Sequence, residues 1–120
     1  MRPGEAFRSA TRTVGERTII TVFGELDIAT GPLLQDALDK ALASGTPRID
    51  IDFSHVTFCD CAGLTVLLRA RADARARGVR LRVIQVRIPW VRTLFTTTGT
   101  DTLLPTDRPH DTPPTRPGAE

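Results

Sequence analysis

Ile49-Asp50-Ile51-Asp52-Phe53 and, after a short break, Val56-Thr57-Phe58-Cys59-Asp60-Cys61-Ala62-Gly63-Leu64 decide the fold. The first segment alternates apolar and polar side chains with period two, the pattern of a strand with one buried face. Pro47 leads into it, and Asp50 and Asp52 should face solvent. Val56 and Phe58 resume the apolar pattern. Asp60 to Gly63 is a junction from polar to small residues, and a helix follows from about Ala62 to Arg77. Leu64, Leu67 and Leu68, then Ala70 and Ala74, form its apolar face. The alanines let the helix lie close to a sheet, and Gly78 ends it.

The flanking segments repeat this strand-to-helix unit. Upstream, Thr18-Ile19-Ile20-Thr21-Val22-Phe23 is rich in β-branched residues and apolar on both faces, which suits a central strand. Gly24 ends or bends it. Phe7 to Val14 is weakly strand-like, and Gly15-Glu16 is a turn signal. Thr30 before Pro32 is an N-cap and first-turn pattern. Leu34, Ala37, Leu38, Ala41 and Leu42 then recur at helical spacing up to Gly45. Downstream, Val79, Leu81 and Val83 alternate with Arg80 and Arg82. Pro89 opens a short helix with a stripe of Trp90, Val91, Leu94 and Phe95, more suited to core or rim packing than to base stacking; Gly99 stops it. Leu103-Leu104 reads as a last extended segment. The order β-β-α-β-α-β-α predicts an α/β fold, an open mixed β-sheet with helices packed against it. Residues 1–6 read as an N-terminal tail and 7–104 as the domain. Residues 105–120, rich in Pro, Thr and Asp without periodicity, read as a disordered tail.

A chain of 120 residues suits one domain and can bury a core without disulfide or metal. Its net charge of +2 does not call for nucleic acid as a partner. No apolar run approaches the roughly 20 residues that span a bilayer, and Met1 to Ala6 lacks the apolar segment of a signal peptide. The expectation is a cytoplasmic protein with no membrane partner. Cys59 and Cys61, two residues apart, are poorly placed to bridge each other and read as reduced thiols. A C-x-C pair is too few ligands for a metal, and His55 and His110 do not complete a set. The chain carries no Gly-rich phosphate loop and no Ser-His-Asp set, so no catalytic residue, cofactor or metal is expected. Arg69, Arg71, Arg75, Arg77, Arg80 and Arg82 read as solvated helix and strand faces, because no DNA-binding motif accompanies them.

Three segments resemble those of the STAS domain family, of the anti-anti-sigma factor (anti-sigma factor antagonist) type. Gly24-Glu25-Leu26-Asp27-Ile28-Ala29-Thr30 resembles the GELD-x-x-T segment that opens the family's first helix. Val56 to Leu64 resembles its hydrophobic-x-F-x-D-S-S/T-G-L loop. Pro89-Trp90-Val91-Arg92-Thr93-Leu94-Phe95 through Thr98-Gly99 resembles its closing P-x-V-x-R-x-L-x-x-T-G helix. Together they cover most of residues 10–104, in the family's order.

The resemblance implies a partner-switching module and not an enzyme. Such a protein binds an anti-sigma factor, often a serine kinase, and so frees a sigma factor for transcription. It implies partner contacts at Asp27, Thr30, Asp60, Cys61, Ala62, Gly63, Leu64 and Thr65. In the family the kinase phosphorylates the second hydroxyl residue of the D-S-S/T-G-L loop, and a phosphate of roughly −1.5 to −2 charge must then be desolvated at the interface. Here Asp60, Gly63 and Leu64 match the motif, Cys61 replaces the first Ser, and Ala62 stands at the phosphoacceptor position. Alanine has no hydroxyl to phosphorylate.

Three consequences stay open: constitutive binding, a switch elsewhere (Thr65, Thr57 or the Cys61 thiol), or service as a STAS subunit of a transporter or stress-sensing assembly. Local readings compete with these roles. Thr30 reads as the cap of the first helix, Asp27 as a turn bond or a partner contact, and Asp60 as a cap for the second helix or part of the docking surface. Cys61 reads as a small residue in a tight spot, although a thiol at a helix start can have a lowered pKa; Cys59 reads as buried and inert. An exposed edge strand leaves room for a homodimer.

Overall fold

The computed structural model describes residues 7–104. Eight elements follow one another: β1 (Arg8–Val14), β2 (Arg17–Leu26), α1 (Gly31–Ala43), β3 (Arg48–Cys59), α2 (Cys61–Ala76), β4 (Arg80–Ile84), α3 (Pro89–Thr97) and α4 (Thr100–Leu103). The strands form one sheet in the order β1-β2-β3-β4. A tight turn at Gly15, with φ of 62°, makes β1 and β2 antiparallel, while β2, β3 and β4 are parallel. The expected open mixed sheet is therefore present.

Both crossovers advance in the same direction across the sheet, and α1 and α2 pack together over one of its faces. There Ile20, Val22, Ile49, Ile51, Phe53 and Val83 pack with Leu34 and Leu38 of α1 and Leu64 and Leu67 of α2. Phe95 of α3 meets Phe53 edge-on, with ring centroids 6.0 Å apart. No helix among the described residues is long and apolar enough to cross a membrane.

Several expectations need correction. Of the two readings of Gly24, an end or a bend of the strand, the end is the one overturned. The strand runs on to Leu26, with the register against β3 shifting on either side of the glycine. The break between Phe53 and Val56 is absorbed as a bulge within one continuous strand. Leu103-Leu104 is not extended as a pair, because Leu103 closes the short α4 and Leu104 caps it. Asp50 does not face solvent: it is 1% exposed, held by Arg17 and Arg82. The expected tails, 1–6 and 105–120, lie outside the described residues.

Candidate functional site

Parallel pairing of β2 with β3 puts Leu26 beside Cys59, so the loops that follow both strands leave the sheet side by side. The Asp60 N–H donates to the Leu26 carbonyl at 3.3 Å and ties the loops together. Asp27 and Asp60 thus lie at the same end of the molecule, one residue beyond paired strand ends.

The first loop is closed by Asp27 and Thr30. Asp27 Oδ1 accepts from the backbone N–H of Ala29 and of Thr30, both at 3.0 Å. The Thr30 hydroxyl accepts from the Asp27 N–H at 2.9 Å and donates to the Glu25 carbonyl at 2.7 Å. Thr30 sits at the N-cap position of α1, but its side chain makes no capping bond. Its oxygen is turned back into the loop, which corrects the capping expectation. Asp27 supplies the turn bonds, as one of its two readings held.

The second loop is shorter and harder. Asp60 is the N-cap of α2, and its Oδ1 accepts from the Gly63 N–H at 3.1 Å. Gly63 is there because nothing larger fits. A Cβ on it would lie 2.8 Å from Leu26 Cγ, 2.9 Å from the Leu26 carbonyl oxygen and 3.1 Å from Cys59 Sγ. A similar approach holds the two helices together, since a Cβ on Gly31 would meet Val66 Cγ2 at 3.0 Å.

The proposed contact residues divide by exposure. Cys61 and Thr65 are exposed, and Asp27, Thr30, Asp60 and Ala62 are half-buried. Gly63 and Leu64 are buried and support the surface from beneath. The Thr65 hydroxyl donates to the Cys61 carbonyl at 3.0 Å within the helix. Cys59 is fully buried, and desolvation, with Asp60 and then Cys61 adding to it, pushes its thiol up to about 12. That sulfur is no nucleophile near neutral pH.

Two further residues stand at this end, Ile28, which the sequence reading left without a role, and Trp90, which it read as core or rim packing. Ile28, between Asp27 and Thr30, is 81% exposed. Trp90, at the start of α3, is 46% exposed and packs on Phe58, one residue before Cys59, with centroids 5.2 Å apart. An isolated isoleucine in a polar loop has no periodicity to betray it; its place between the two closing residues was the available signal.

Among the described residues, no three His, Cys, Asp or Glu side chains form a group able to hold a metal ion. A groove of about 570 Å³ runs between β1 and α1, lined by residues such as Ser9, Thr11, Leu33 and Ala37. None of residues 27–30 and 60–65 lines it.

A helix-backed mixed sheet ending in these two interlocked loops is the architecture of a STAS domain, and the chain belongs to that family. A family model described as Mlab, STAS domain matches residues 9–105. Solved structures share the fold. An anti-sigma factor antagonist from Mycobacterium paratuberculosis is 24% identical, with a TM-score of 0.78 over 88% of this chain and 89% of its own. The anti-sigma factor antagonist SpoIIAA in its unphosphorylated form is 22% identical, with a TM-score of 0.69 over 88% and 91%. The Bacillus cell fate determinant SpoIIAA in the phosphorylated form is 21% identical, with a TM-score of 0.63 over 88% and 95%. Among proteins of curated function, none matches this sequence.

Proposed function

We propose that this chain is an anti-sigma factor antagonist of the cytosol, a regulator and not an enzyme. It binds an anti-sigma factor through the paired loops and so releases a sigma factor for transcription. The observation that supports this reading is the interlock of Asp60 with the Leu26 carbonyl, which brings the loops at 27–30 and 60–65 side by side. Antagonists of the same fold support it.

Binding energy at this surface comes from side chains with no internal duty. Ile28 is an exposed apolar side chain that a partner would bury. Asp27 and Asp60 are occupied in holding the loops, so replacing either tests the loop as much as the contact. One of the solved relatives is a phosphorylated form of its protein. Here Ala62 offers no oxygen at the matching position, so the antagonist stays competent and is controlled by its amount or by a different residue.

The test is a binding titration with the anti-sigma factors of the source organism, comparing wild type with Ile28→Asp. The expected loss is about 2 kcal/mol, roughly thirtyfold, with a melting temperature unchanged. Equal affinity of the two proteins would defeat the proposal. The missing hydroxyl also fits a STAS subunit held in a larger assembly, and affinity purification that recovers transporter subunits and no sigma-regulatory protein would favour that reading.

A further inference from the structure

The far face and far end of the sheet carry a second surface. Side chains at even positions of β1 and β4, at even positions of β3 as far as Asp52, and at odd positions of β2 share the face that α1 and α2 leave uncovered. Its first row aligns Val14, Arg17, Arg48 and Arg80 across four strands, and its second aligns Arg12, Ile19, Asp50 and Arg82. Ile19 is buried although it stands outside the core cluster, as expected if the stems of these arginines cover it.

Among the described residues, charge on this face does not balance. Asp50 is the one carboxylate in the two rows and is already committed. Its Oδ2 accepts from Arg17 at 3.2 Å, and its Oδ1 accepts from Arg82 at 2.9 Å. Arg48 and Arg80 lie next to each other with no carboxylate at ion-pair distance among the described residues. Adjacent strands are about 4.8 Å apart, and like charges directly opposite destabilise a sheet. A cleft of about 190 Å³ opens among Arg48, Asp50, Arg80, Leu81 and Arg82.

We propose that this row is a second docking site, and that its occupant is an acidic protein segment whose Asp or Glu carboxylates lie across Arg48 and Arg80. Guanidinium forks match carboxylates in geometry and charge, and the pairing relieves the repulsion along the row. Nucleic acid is disfavoured because no aromatic side chain stands in either row for a base to stack on. Eleven residue steps along β3, about 35 Å of strand, separate Arg48 from Cys59, so both surfaces can be engaged at once.

The experiment titrates the full chain, observed by NMR, with a short Glu-rich peptide, its Gln counterpart, a single-stranded oligonucleotide and inorganic phosphate. The Glu peptide should shift amides at the starts of β2, β3 and β4. The double variant Arg48→Gln, Arg80→Gln should weaken it at least about tenfold, and added salt should weaken it in wild type. The same variant should melt no lower than wild type, and Ile28→Asp should bind the peptide unchanged. The proposal is overturned if the Gln peptide binds equally, if the double variant keeps its affinity, if the oligonucleotide binds these arginines more tightly than the Glu peptide, or if phosphate alone matches the peptide.

Discussion

The two ends of β3 place a carboxylate each, and the carboxylates do opposite things. At the C-terminal end Asp60 holds backbone: it caps α2 through the Gly63 N–H, and its own N–H holds the neighbouring loop. At the N-terminal end Asp50 holds side chains, bridging arginines from the strands on either side. The first arrangement makes a stiff surface with its charge used internally and its apolar side chains, Ile28 and Trp90, left outside. The second makes a surface with cations in excess. One end is built for shape and apolar contact, the other for charge.

The largest effect expected from disturbing this contrast is at Gly63. Gly63→Ala forces a methyl against Leu26, backbone as well as side chain. It should cost about 3 kcal/mol, at the upper end for overpacking, measured by denaturant unfolding. A loss below about 0.5 kcal/mol would mean that the two loops are not locked together.

Next comes Asp50→Ala, which leaves Arg17 and Arg82 without their anion. Breaking a fully buried pair costs more, but both arginines are about a third exposed, so a loss of about 2 kcal/mol is expected. Acidic peptide should then bind more tightly, because the row gains net positive charge. Unchanged stability would show that the two salt bridges contribute nothing.

Cys59 gives an effect confined to alkaline pH. Its folded thiol titrates near 12 and its unfolded thiol near 9. Below pH 9 both states are neutral and the thiol is indifferent to pH. Between 9 and 12 the unfolded chain loses the proton first, so stability falls as pH rises, by at most about 1.4 kcal/mol per unit. Cys59→Ala should remove that part of the alkaline slope. An identical slope in the variant would place the effect elsewhere.

Ala62→Ser is the gentlest change, expected to alter stability by less than about 0.5 kcal/mol. It should nonetheless make the protein a substrate for a kinase-type anti-sigma partner, scored by phosphate transfer and by weakened binding once phosphorylated. Transfer to wild type at the same rate would put the acceptor at another residue.

Much of this was legible from residue types. Alternation at Ile49, Ile51 and Phe53 gave the strand, the Leu and Ala pattern gave α2, and Asp60 before small residues offered the cap as one of two readings. The α/β class followed from their order. Asp50 was misread because alternation tells which face a side chain is on and not what covers it; its covering arginines are 33 and 32 residues away in sequence. Thr30 was misread because a helix-start residue can bond forward or backward, and the Asp27 N–H and Glu25 carbonyl offered the backward option. The pair Leu103-Leu104 was too short to show a helical period.

The most direct measurement is an amide chemical-shift map of the labelled protein on adding the anti-sigma factor proposed as its partner. The account predicts perturbations concentrated at residues 27–33, 60–66 and Trp90, with the row of Arg17, Arg48 and Arg80 unmoved. A map centred on that arginine row, with the paired loops silent, would contradict it.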